Sequence, residues 1–170
     1  KEEPFAIIIE ADDTHFPDGY TDKSCEISSS EPYENSIRCV DKMASEFVRY
    51  VQSQDYYEDT IIVIHGDHLS MEKEYFKTLD SDYKRNTFNA FINIDEHLLN
   101  NASSKNRKYY SMDVFPTILS SMGVQIHGSR LGIGTDLFSS RKTLYEELGV
   151  DKVNQDIGGK DNWFIDKFMK

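Results

Sequence analysis

The apolar positions along the chain alternate between short unbroken runs and helical stripes, and that alternation predicts the order of elements. PFAIIIEA carries a continuous apolar run from Phe5 to Glu10, the pattern of a strand covered on both faces. A long polar stretch follows, with turn chemistry at Pro17-Asp18-Gly19. Unstructured stretches of this length inside a domain are often functional. A helix is then predicted from about Glu34 to Gln52, because Ile37, Val40, Ala44, Phe47, Val48 and Val51 share one helical face. TIIVIHGDHLSM opens with the β-branched residues Thr60 to Val63 and reads as a second strand ending at His65.

Strand, helix and strand in that order make a β-loop-α-β unit, whose strands normally run parallel with a right-handed crossover. NTFNAFINI predicts a third strand over Thr87 to Ile94. SMDVFPTILSSMGV predicts a helix from about Met112 to Met122, with Pro116 in its first turn and Gly123 as its stop. SRLGIGTDLFS is a glycine-rich loop with short extended pieces, and KTLYEELG a helix closed by Gly149. DNWFIDKFMK is a terminal amphipathic helix carrying Trp163, Phe164, Phe168 and Met169. No internal repeat or linker interrupts the series. The expected fold is therefore one α/β domain, a mostly parallel sheet sandwiched by helices. Both early strands should end on one edge of that sheet, where open α/β sheets bind ligands.

Composition narrows the partners. The chain has 170 residues, 38% of them hydrophobic and 29% charged, which is globular rather than disordered. With a net charge of −11 no basic stripe offers to neutralise phosphates, so no nucleic acid is expected, and the charge disfavours flat adsorption on anionic lipid. No apolar run reaches the roughly 20 residues that span a bilayer, and KEEPFAIIIEADD is neither a signal nor a transit peptide. Any targeting or membrane segment is expected outside these residues. Cys25 and Cys39 fit either a disulfide or two reduced thiols, and composition does not choose between them.

The candidate chemistry sits after the two strands. Asp67 and His68 offer one oxygen and one nitrogen donor, a mixed set that Mn²⁺ or Zn²⁺ accepts. Adjacent residues of a strand point to opposite faces, so both reach one ion only if the chain turns, and Gly66 makes that turn easy. The bland alternative is that Asp67 caps a turn and His68 fills a surface slot. His65 is expected behind the ligands or in a purely structural role. His15, beside Asp12 and Asp13, can donate to a phosphate oxygen or exchange a proton, or can simply be satisfied by backbone. RLGIG (Arg130 to Gly134) does not follow a strand and open a helix as a phosphate-binding loop does, so it is read as a structural turn. His97 and His127 have no partner that can be named.

DTHFPDGY, ENSIRCVDKMASEFVRYV, TIIVIHGDHLSM, YYSMDVFPTILSSMGV and RLGIGTDLFS, taken in order, resemble successive landmarks of the alkaline-phosphatase/sulfatase superfamily. Within it the chain is most similar to membrane-anchored phosphoglycerol transferases. HGDHLSM resembles the branch that decorates periplasmic glucans more than the lipoteichoic acid synthases. The resemblance covers roughly residues 5 to 140. It implies that Asp67 and His68 are metal ligands, usually for Mn²⁺, with Mg²⁺ or Zn²⁺ as alternatives, and that His15 contacts the transferred phosphoglycerol group. It also implies a Cys25–Cys39 disulfide, worth roughly 3 kcal/mol for a loop of that size.

The family attacks with a metal-held threonine and uses a further upstream carboxylate. No threonine here matches that nucleophile; Thr14 adjoins His15 but lacks its surroundings. Residues 1–170 are thus expected to be the C-terminal part of the catalytic domain, inactive alone and completed by an N-terminal half. The implied partners are the phosphatidylglycerol head group and a glycan or glycerol-phosphate acceptor. Membrane contact would come only through upstream segments, on the periplasmic or outer face of the inner membrane. A phosphoethanolamine transferase or a sulfatase shares the Asp-His ending. A non-catalytic α/β module that binds a glycan or a protein partner is the reading of another class.

Overall fold

The computed structural model describes residues 4–100, 107–159 and 161–169. The chain divides into two compact units, Lys1–Ala90 and Phe91–Lys170.

In the first unit the predicted helix forms as α1, Pro32–Gln52, with Pro32 at its N-terminal end, where a missing N–H costs nothing. Its buried side is Tyr33, Ser36, Cys39 and Val51, whereas Ile37 and Phe47 on the predicted apolar face stay exposed. Asn35 accepts from the N–H groups of Ser28 and Ser29, fixing how the polar loop enters the helix. Strand β1, Ile62–His65, pairs with β2, Asn89–Ile92, in a two-stranded sheet. Between them lies the short helix α2, Lys73–Lys77, which the apolar pattern did not predict. Tyr75 and Phe76 of α2 meet Tyr33 of α1 edge-on, with centroids 5.3 and 6.2 Å away.

The expected strand at Phe5–Glu10 does not form. Residues 4–10 belong to neither sheet and are exposed. An apolar run becomes a strand only where a ladder partner and a covering face receive it. Among the described residues β1 pairs with β2 and not with this run, so the parallel neighbours expected of the first β-loop-α-β unit are not formed.

The second unit begins with helix α3, Glu96–Asn100. The predicted helix appears as α4, Val114–Ser121, entered through a 3-10 turn at Ser111–Asp113, with Pro116 in its first turn and Gly123 beyond its end at φ 84°. The glycine-rich segment is an antiparallel hairpin, β3 (Arg130–Leu131) and β4 (Gly134–Thr135). A Cβ on Gly134 would lie 2.1 Å from the Met112 carbonyl oxygen, so only glycine lets β4 approach this closely. Helices α5 (Leu144–Leu148), α6 (Val150–Ile157) and α7 (Asn162–Phe168) complete the unit.

Two polar knots hold this unit together. Buried Asp113 accepts from the N–H of Thr135 and of Tyr110, and Thr117 donates to the Asp113 carbonyl while accepting from the Leu137 N–H. Burial pushes the Asp113 carboxyl up, against the pull of those two N–H donors. In the second knot Arg107, 5% exposed, pairs with Glu146 at 2.9 Å and donates to the carbonyls of Leu137, Ser139 and Arg141. Burial pushes Glu146 up, but Arg107 and the N–H groups of Thr143 and Lys108 outweigh it and hold its carboxyl at about 2. Thr143 caps α5 reciprocally with Glu146.

Candidate functional site

β1 carries the chain to His65, and the strand stops at Gly66, whose N–H donates to the Phe88 carbonyl. The chain then turns, and the side chains of Asp67 and His68 fall on the same side despite being adjacent. Asp67 Oδ2 and His68 Nε2 lie 3.4 Å apart, with both side chains largely in solvent. The remaining atoms of the pair are engaged. Asp67 Oδ1 accepts from the His68 N–H at 2.8 Å, and His68 Nδ1 lies 2.9 Å from the Leu69 carbonyl. A carbonyl only accepts, so that contact places a proton on Nδ1 and leaves Nε2 as the ring atom facing a carboxylate oxygen. An imidazole nitrogen and a carboxylate oxygen at this separation can share a proton or a cation. Two ligands of one ion, each about 2.1 Å from it, lie about 3.0–3.4 Å apart at tetrahedral to octahedral angles. The pair therefore suits a divalent cation as two of its ligands. Among the described residues no group of three or more His, Cys, Asp or Glu gathers to complete a site. His65 turns to the ladder instead, where its Nδ1 pairs with the Asn89 side-chain oxygen.

His15 follows a 3-10 turn at Asp12–Thr14 and is exposed. Its Nδ1 lies 2.7 Å from the Phe16 carbonyl. The turn after it is tightly knit: the Gly19 N–H donates to the carbonyls of His15 and Pro17, and the Tyr20 N–H to that of Asp13. A Cβ on Gly19 would fall 2.3 Å from Ser36 Oγ, so glycine alone lets this turn rest on α1. The loop is tied to α1 a second time by the disulfide between Cys25 and Cys39, with Cα atoms 5.6 Å apart. Asp12 and Asp13 lie in the first turn of the 3-10 helix before His15. Arg130 of the glycine-rich segment is occupied by Thr135, Lys142 and Glu147, in keeping with a structural turn.

A residue absent from the sequence reasoning joins the two loops. The Glu72 carboxylate accepts from the Asp18 N–H at 3.1 Å, across 54 positions of sequence. Phe16, Met71, Glu72, Lys73 and Glu74 line an open cleft of about 470 Å³. The only available sequence signal was a carboxylate four positions beyond His68, which no local pattern marks.

The Sulfatase family profile matches residues 1–124, and the chain belongs to that family. Its relatives include the phosphoglycerol transferase I proteins of Salmonella paratyphi B, Salmonella newport and Salmonella typhi. Each is 27% identical over 90 residues, a match covering 49% of this chain and 12% of the relative. The chain thus corresponds to a small part of those proteins. No solved structure matches it. A Sulfatase-family chain has an α/β fold of the alkaline-phosphatase type, and its named relatives are transferases.

Proposed function

We propose that the chain is the part of a phosphoglycerol transferase that carries the Asp-His metal ligands and the histidine for the transferred group. The observation that carries this reading is the Asp67–His68 pair at the tip of β1, with a carboxylate oxygen and an imidazole nitrogen 3.4 Å apart. The match to the phosphoglycerol transferase I proteins supplies the substrate class. In the whole protein we infer a mostly parallel sheet sandwiched by helices, with the exposed Phe5–Glu10 run as one of its strands.

The donor in this reading is phosphatidylglycerol. A threonine hydroxyl in protein outside these residues attacks phosphorus, the bond from phosphorus to the diacylglycerol oxygen breaks, and that oxygen takes up the proton. A glycan or glycerol-phosphate hydroxyl then attacks the threonine-bound phosphorus and returns the threonine. Asp67 and His68 would hold a divalent cation, Mn²⁺ by preference over Mg²⁺ or Zn²⁺, and when bound it would neutralise charge on the phosphoryl oxygens. His15 orients the phosphoryl oxygens or the glycerol. Residues 1–170 alone turn over nothing and associate with the half that carries the threonine. The reaction belongs on the outer face of the inner membrane or in the periplasm, with anchoring supplied elsewhere. Among the described residues no helix is long and apolar enough to cross a membrane.

The test is lipid turnover by the intact enzyme. Diacylglycerol is expected from phosphatidylglycerol. Release from phosphatidylethanolamine alone would replace this donor with the ethanolamine lipid, and hydrolysis of a sulfate ester alone would make the protein a sulfatase in activity as well as in family.

A further inference from the structure

Glu72 is a carboxylate only 6% exposed, on the short link between the Asp67–His68 segment and α2. A carboxylate is buried at a cost that its hydrogen bonds must offset. Its partner is the N–H of Asp18, a non-glycine residue at φ 59°, followed by Gly19 at φ 67°. Two consecutive left-handed residues persist when the surroundings hold them there. The same turn receives the Gly19 N–H on the His15 carbonyl, so a grip on Asp18 is a grip on His15.

The other end of this strut is held as well. The Glu72 N–H donates to Ser70 Oγ, and Arg85 donates to the Ser70 carbonyl with its guanidinium 3.8 Å over the Phe76 ring. Ser70 lies two positions beyond His68. A continuous path of bonds therefore runs from the His15 turn through Glu72 to the segment that carries Asp67 and His68.

We propose that Glu72 is a positioning residue, whose buried carboxylate holds the His15 loop in register with the Asp67–His68 segment. This rests on reading His15, Asp67 and His68 as one site. Glu72 touches no reacting atom and acts through His15.

The test is a mutant cycle in the intact enzyme, reading diacylglycerol release from phosphatidylglycerol vesicles and Mn²⁺ affinity by titration. Glu72→Ala is expected to lower kcat by up to about a hundredfold, the scale of a misplaced catalytic group, with KM and Mn²⁺ affinity little changed. Glu72→Gln keeps an acceptor for the Asp18 N–H and is expected to retain near-normal turnover. Glu72→Ala added to His15→Ala is expected to cost nothing further, because the two act as one unit. Multiplicative losses in the double variant would overturn the proposal, as would a normal rate in Glu72→Ala. If Glu72→Ala does not fold, Glu72→Gln decides: a loss as large as that of His15→Ala sinks it. Normal turnover in His15→Ala would overturn both the role of His15 and the strut that serves it. A loss in His15→Ala combined with multiplicative effects would overturn the strut alone.

Discussion

Asp67 and His68 are exposed, and neither supports packing, so their removal separates chemistry from stability. Asp67→Ala or His68→Ala in the intact enzyme should abolish turnover while shifting stability by no more than about 0.5 kcal/mol, as at other surface positions. Near-normal turnover in either variant, beside an unchanged thermal midpoint, would remove the metal assignment. Glu146 makes the opposite kind of prediction. Its carboxyl stands at about 2 in the fold against an ordinary 4.5, so the folded state binds its proton less readily than the unfolded state. Its stabilisation is complete above pH 4.5 and is lost as pH falls towards 2. With 21% of the side chain facing water, the contribution is on the order of 2 kcal/mol. Denaturant midpoints of wild type and Glu146→Gln should differ at pH 6, and the difference should shrink below pH 4.5 and close only as pH approaches 2. A difference independent of pH would contradict the ion pair. Arg107→Ala removes the guanidinium from four acceptors at once and should cost about 3 kcal/mol at neutral pH.

Among the elements, those legible in the sequence were the ones whose signals are local. The 3.6-residue stripe of α1, the stop at Gly123, the closure of α5 by Gly149 and the turn at Pro17-Asp18-Gly19 all rest on residues within a few positions of one another. Helices α2 and α3 are five residues each, too short to show a period. The strand expected at Phe5–Glu10 failed for a different reason: an apolar run states that a segment wants burial but not what will bury it. The candidate site divides in the same way. Asp67, His68 and His15 stand beside turns and were visible. Glu72, Arg107 and Glu146 act across 54 and 39 positions, where no periodicity reports a partner. The disulfide is a long-range link that residue type left open and the family resemblance implied. Cys25 and Cys39 are 14 positions apart, and joining them removes roughly 3 kcal/mol of unfolded-state freedom. Cys25→Ser/Cys39→Ser should lower unfolding free energy by about that amount. A change below about 0.5 kcal/mol would mean that the bond merely decorates a loop already held by Gly19 and Asn35.

At the scale of the whole molecule the feature that demands a partner is apolar surface. Ile7, Ile8 and Ile9 lie in sequence at the start of the first unit, and Ile8 is 95% exposed. On α1, Ile37 and Phe47 are exposed as well. Apolar area left in water forgoes about 25 cal/mol per Å², so any surface that covers these residues is favoured. An exposed run of β-branched residues outside both sheets is also a template for pairing with another chain. In the intact enzyme the proposed occupant is the half carrying the threonine. In residues 1–170 alone the available occupant is a second copy. The isolated chain should therefore self-associate with rising concentration, despite a net charge of −11 that opposes it. Added salt screens that charge, so association should strengthen as ionic strength rises. Ile8→Lys places a charge in the centre of the run without disturbing a packed contact, and should shift sedimentation towards monomer while leaving the thermal midpoint unchanged. A chain that stays monomeric at high concentration and high salt, with or without Ile8→Lys, would show that this apolar run needs no partner, and the inference that Phe5–Glu10 completes a larger sheet would fall with it.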